Sequence, residues 1–183
     1  MNFTPRILIL PGLGNSGEQH WQSIWERQYP DFSRINQQNW DNPVCRDWIE
    51  QIDRDVMAGD PSNVILVGHS LACTAIAYWA QTFQRTIRGA LLVAPSDTEA
   101  DTYPPGTTGF IPVPLLNLPF PSTVVTSTDD YYVTLSRATF FARSWGSKLV
   151  VLDAAGHINA GSGYGNWPEG LALLRELDTG TVS

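Results

Sequence analysis

The chain has 183 residues, 43% hydrophobic and 16% charged, which suits one globular domain over residues 1–183 with a sizeable core. Its 11 basic and 18 acidic residues give a net charge of −7, and Lys148 is the only lysine, so neither nucleic acid nor an anionic membrane is an expected partner. No stretch approaches the ~20 apolar residues of a membrane span, and the first residues hold no signal-like apolar region. The two cysteines, Cys45 and Cys73, make no disulfide framework, so a reducing, cytoplasmic setting is expected.

Arg6 to Leu10 is a short aliphatic run closed by Pro11-Gly12 and reads as a first strand. The loop Gly12-Leu-Gly-Asn-Ser-Gly17 follows. Trp21, Ile24, Trp25, Gln28 and Tyr29 fall at helical spacing and predict a helix over residues 18–29. Ser33 to Gln37 gives a weak second strand. Asn42-Pro43 reads as an N-cap with proline at the first helical position, opening a helix that Gly59 ends. Val64 to Val67 is a third strand, and Ala72, Ala75, Ile76, Trp79 and Phe83 recur at helical spacing after it. Gly89 to Ala94 is a fourth strand. Residues 96–122 hold six prolines among many apolar residues, which excludes a regular helix. That stretch either walls an acyl pocket or packs as an Ω-like loop over the core. Thr123 to Thr126, the helix from Leu135 to Trp145, Lys148 to Leu152 and a last helix opened by Pro168 complete the pattern. Strands alternating with helices predict a three-layer sandwich around a six-stranded parallel sheet, with right-handed crossovers.

Val64-Ile-Leu-Val-Gly-His-Ser-Leu-Ala72 carries the strongest chemical signal. Ser70 sits between a buried strand and an alanine-rich helix, the context of a nucleophile elbow, although the G-x-S-x-G pattern ends in Ala72. The first free N–H groups of the helix point at whatever the serine attacks. In a doubly wound sheet the first and third strands lie side by side, so the Gly12-Leu13-Gly14 loop should face the elbow. The N–H groups of Leu13 and Leu71 are then candidates for one oxyanion hole.

A serine needs a base. His157, in Gly156-His-Ile-Asn159 after the sixth strand, opens at the elbow's edge of the sheet and is preferred. His69 adjoins Ser70, and its side chain should leave on the opposite side as a packing or hydrogen-bonding group. Gly12, His20 and Phe110 are expected to line the substrate site. The orienting carboxylate should come from Ser127-Thr-Asp-Asp130, with Asp130 preferred over Asp129 and with Asp97 and Asp153 more remote. No metal-ligand spacing and no phosphate-binding P-loop is present. Gly12, Gly14 and Gly17 fit G-x-G-x-x-G, but no acidic residue closes the second strand convincingly, so a dinucleotide site is a weak competitor.

At Leu10-Pro-Gly-Leu-Gly-Asn-Ser, His20-Trp-Gln, Gly68-His-Ser, Ser127-Thr-Asp-Asp, Trp145-Gly-Ser and Gly156-His-Ile-Asn-Ala the sequence resembles the small serine hydrolases of the α/β-hydrolase superfamily that include the retinoblastoma-binding serine hydrolase and bacterial esterases. The resemblance implies a compact α/β hydrolase without a large cap domain. It carries the nucleophile onto Ser70, the base onto His157 and the acid onto Asp130. Family members often have glycine where Ala72 stands. The L-x-C-x-E motif linked to retinoblastoma binding is not met by Leu71-Ala-Cys-Thr-Ala75, so that partner is not carried over. The expected activity is cofactor-free hydrolysis of a small-molecule ester. An amidase or peptidase using the same groups, and a catalytically idle binding module on a hydrolase scaffold, are the alternatives.

Overall fold

The computed structural model describes residues 3–180. The elements run β1 (Arg6–Leu10), α1 (Trp21–Gln28), β2 (Phe32–Arg34), α2 (Cys45–Met57), β3 (Val64–His69), α3 (Leu71–Phe83), β4 (Gly89–Val93), β5 (Ser122–Ser127), α4 (Leu135–Trp145), β6 (Lys148–Leu152) and α5 (Pro168–Thr179). The six strands form one all-parallel sheet in the order β2-β1-β3-β4-β5-β6.

The period-two alternation of side chains divides each central strand between two cores. Leu8, Leu10, Val64, Leu66 and Leu92 face one side, where they pack with Trp48 and Ile52 of α2, Ile76 and Trp79 of α3, and Phe141 and Trp145 of α4. Ile7, Ile9, Ile65, Val67, Leu91 and Val93 face the other, against Trp21 and Trp25 of α1 and Leu171 and Leu174 of α5. Each such side chain contributes roughly 1.5–3 kcal/mol by leaving water. All five α-helices among the described residues belong to these two layers, and none forms a cap over the sheet edge.

Three elements differ from the sequence expectation. The first helix starts at Trp21, because His20 caps it: His20 Nδ1 accepts from the Gln22 N–H at 3.2 Å. The second strand is Phe32–Arg34, three residues paired with Ile7–Ile9. Asn42 does not cap α2. Pro43 and Val44 stay extended because they pair with Thr108: the Thr108 N–H donates to Pro43 O and the Cys45 N–H donates to Thr108 O, both at 2.9 Å. The tertiary partner satisfies the helix's first donor, so no side-chain cap is present.

Residues 103–121 mostly cover core. Phe110, Val113, Leu118 and Phe120 are buried with α2, α3 and α4. Thr98 donates to Phe110 O and the Trp145 indole donates to Pro114 O, which pins the segment's irregular backbone.

Candidate active site

β3 ends directly in α3, and Ser70 is the hinge, with φ 59° and ψ −124°. That conformation is costly for any residue but glycine and persists only where the surroundings impose it. Two features impose it here. The Ser70 N–H donates to Val93 O at 2.9 Å, and the Cys73 N–H closes the first helical turn on Ser70 O at 3.0 Å. Gly68 lets the helix fold back on the strand, since a Cβ there would lie 2.7 Å from Ile76 Cδ1. The methyl of Ala72 is accommodated in the same packing, 1% exposed.

The loop after β1 presses on this corner from the side. A Cβ on Gly12 would meet Ser70 Cβ at 2.8 Å and His69 O at 2.9 Å. It would also lie 3.2 Å from Leu71 N, so the residue before Leu13 abuts the start of α3. Neither the Leu13 N–H nor the Leu71 N–H donates to a partner among the described residues, whereas the next amide, Gly14 N–H, is used by Trp40 O at 2.8 Å.

The loops after β5 and β6 deliver an imidazole and a carboxylate. His157 Nδ1 lies 2.9 Å from both carboxylate oxygens of Asp130, whose side chain is fully buried. That contact places the neutral ring's proton on Nδ1 and leaves Nε2 as a lone pair. Asp129 does other work. Its Oδ1 accepts from Ser127 Oγ at 2.6 Å and from the Gly156 N–H at 2.7 Å, bracing one loop against the other. These two donors hold the Asp129 carboxyl below its ordinary range. Ile158, next to the imidazole, is held at φ 47°, a strained setting for a β-branched residue, with the Trp21 indole donating to its carbonyl at 2.8 Å.

Ser70, His157, Gly12, Leu13, His20 and His69 line one cavity of about 190 Å³ above the carboxyl ends of β1 and β3. The Ser70 hydroxyl rests on Ser96 Oγ at 2.7 Å rather than on the His157 ring.

The model of the serine hydrolase family matches residues 7–176. The chain belongs to the serine hydrolase family. Among solved structures, the chain is similar to a protein of Pectobacterium atrosepticum that bears the name of a ydeN-like hydrolase, with 33% identity over 96% of this chain and 91% of that one and a TM-score of 0.84. The ydeN gene product of B. subtilis shares the fold at 21% identity, covering 95% of this chain and 98% of its own, with a TM-score of 0.74. Thermogutta terrifontis esterase 2 shares it at 14% identity, over 99% and 85% of the two chains, with a TM-score of 0.68. A search of curated proteins finds no match. The fold is therefore that of a small α/β hydrolase without a cap.

His69 packs and hydrogen-bonds on the α1 side of the sheet, against Trp21, and its ring also lines the cavity. Its ring packs between those of His20 and His157, with centroids 4.7 and 4.9 Å away, and its Nε2 donates to the His157 carbonyl at 2.9 Å. Burial, with His157 and His20 beside it, keeps His69 well below its usual pKa. Burial likewise pulls His20 down to about 4, with His157 and Arg34 adding to the shift. Both rings are neutral at neutral pH.

Phe110 is a correction. It lies 1% exposed against Trp48, outside the cavity lining, because an aromatic in that segment gains more from the core than from the site. Tyr103 and Pro104 are the residues of the proline-rich segment that reach the cavity. Asp97, one of the remote acid candidates, is taken by Arg137 at 2.8 Å. Ser96, Asn15, Tyr132 and Asn159 also line the cavity and were not singled out from sequence. Among the described residues no three His, Cys, Asp or Glu side chains gather as a metal site. No helix there is long and apolar enough to cross a membrane.

Proposed function

We propose that the chain is one hydrolase domain that cleaves small-molecule carboxylic esters through an acyl-enzyme on Ser70. The carrying observation is that Ser70, strained at the elbow, opens on the same cavity as the His157–Asp130 pair. Substrate entry turns the Ser70 hydroxyl away from Ser96 toward His157 Nε2. His157 takes the proton as Oγ bonds to the carbonyl carbon, while Asp130 holds the ring's tautomer and stabilises the imidazolium. The N–H groups of Leu13 and Leu71 receive the oxyanion, and such a donor stabilises the transition state by roughly 2.7–4 kcal/mol. His157 then protonates the leaving alkoxide, and water repeats the sequence to free the acid. No step calls on a cofactor.

Labelling with a fluorophosphonate probe tests the reading. The wild-type chain is expected to label at Ser70 and to hydrolyse short p-nitrophenyl esters. Ser70→Ala abolishes both. A folded chain that neither labels nor turns over is an idle scaffold, and the proposal fails.

A further inference from the structure

The solvent side of the cavity carries two amides whose orientation is fixed. Asn15 Oδ1 accepts from the Ser16 N–H at 2.8 Å and from Arg34 Nη1 at 2.7 Å. Asn159 Oδ1 accepts from the Ser162 N–H at 3.0 Å and from Ser162 Oγ at 3.1 Å. A backbone N–H only donates, so each of these side-chain atoms is the carbonyl oxygen. Each Nδ2 amide is left facing outward from its own tether, and neither has a partner among the described residues. Deeper in the wall stands a third spare donor. His20 uses Nδ1 to cap α1, which puts its proton on Nε2, and that atom is buried without a partner in a residue 6% exposed. No lysine or arginine side chain lines the cavity; Arg34 stands behind Asn15.

Of these three neutral donors around one small cavity only His20 Nε2 is buried, where a donor left unpaired is costly; Asn15 is exposed and Asn159 half-buried, so their amides meet water until an acceptor brought by the substrate displaces it. We propose that this enzyme, read as the hydrolase above, selects acyl groups bearing a second, uncharged carbonyl oxygen, which the Asn15 and Asn159 amides grip away from the scissile bond. Neutral donors favour an ester or amide carbonyl. A carboxylate would draw on a positive charge that the lining lacks.

Matched p-nitrophenyl esters test this. Monomethyl succinyl and hexanoyl esters have acyl chains of equal length and differ in the second carbonyl. After correction for their alkaline hydrolysis rates, the wild type should favour the succinyl methyl ester by about tenfold or more in kcat/KM, the effect of one good hydrogen bond. Asn15→Asp and Asn159→Asp keep the oxygen that takes Ser16, Arg34 and Ser162 and remove the outward donor. Asn15 sits at φ 67°, which aspartate tolerates. The double variant should bring the preference to within about threefold of unity, whatever its absolute rates. A wild type without the preference, or variants that keep it, overturns the proposal. A wild type that prefers the free succinyl carboxylate to its methyl ester also overturns it. Failure of Ser70 to label sinks the hydrolase reading together with this one, whereas labelling without preference sinks this one alone.

Discussion

His69 Nε2 lies 2.9 Å from the main-chain oxygen of His157, so the residue before the elbow serine holds the residue that carries the imidazole. The end of β3 and the loop after β6, 88 positions apart in sequence, are thereby set at a fixed spacing. His69→Phe keeps the ring packing and orphans the His157 carbonyl. We expect kcat to fall about tenfold with KM little changed, and stability to fall by about 1–3 kcal/mol. Steady-state kinetics and urea unfolding measure the two effects. An unchanged kcat would show that the contact serves packing alone.

The paired aspartates should separate cleanly. Asp130→Asn leaves the geometry but favours the wrong imidazole tautomer, and kcat should drop by a factor on the order of 10⁴. Asp129→Asn touches only the brace to Ser127 and Gly156, and kcat should fall by less than about tenfold. If Asp129→Asn is the more damaging of the two, the assigned acid is wrong.

Gly12→Ala should impair catalysis more than its size suggests. The new methyl would sit 2.8 Å from Ser70 Cβ and 3.2 Å from Leu71 N, so the loop after β1 must retreat. The Leu13 N–H retreats with it, and kcat should fall by about a hundredfold, the value of one oxyanion donor. Gly17→Ala, where a Cβ has open space, is the control and should change little.

Acid should destabilise the fold through its buried histidines. His20 is depressed from 6.5 to about 4, and His69 moves in the same direction. Between about pH 4 and 6.5 the unfolded chain therefore binds more protons than the folded one. Stability is full above 6.5 and declines as the pH falls through that window, by about 3 kcal/mol for His20 alone. Urea midpoints from pH 7.5 to 4.5 should show the decline, and His20→Asn, which preserves the helix cap, should flatten it.

The central strands were legible because both faces of a parallel sheet are buried: aliphatic runs such as Val64–Val67 admit few other readings. The elbow was legible because such a run meets Gly-His-Ser and then a helix. Ser96 was not. Nothing in Ala94-Pro-Ser-Asp97 marks a serine that will stand 2.7 Å from the Ser70 hydroxyl, because only the pairing of β3 with β4 brings those strand ends together. Phe110 misled because apolar character reports burial, not which buried place. Asn42-Pro43 misled because a bridge to Thr108, more than sixty residues on, settles where α2 begins. Asn15 and Asn159 lie within the stretches that resemble the family, but nothing in those stretches marks them as site residues, since their interest lies in which end of each amide the fold occupies.

The braces between Ser127, Asp129, Ala155 and Gly156, together with the Thr128–Ala154 contact, stitch the loops after β5 and β6 into one unit. Asp130 and His157 thus travel as a preassembled cassette, while Asn15 and Tyr103 ride on segments outside it. If the proposed roles hold, selectivity can be rewritten on those segments, by evolution or by design, without retuning the proposed proton relay.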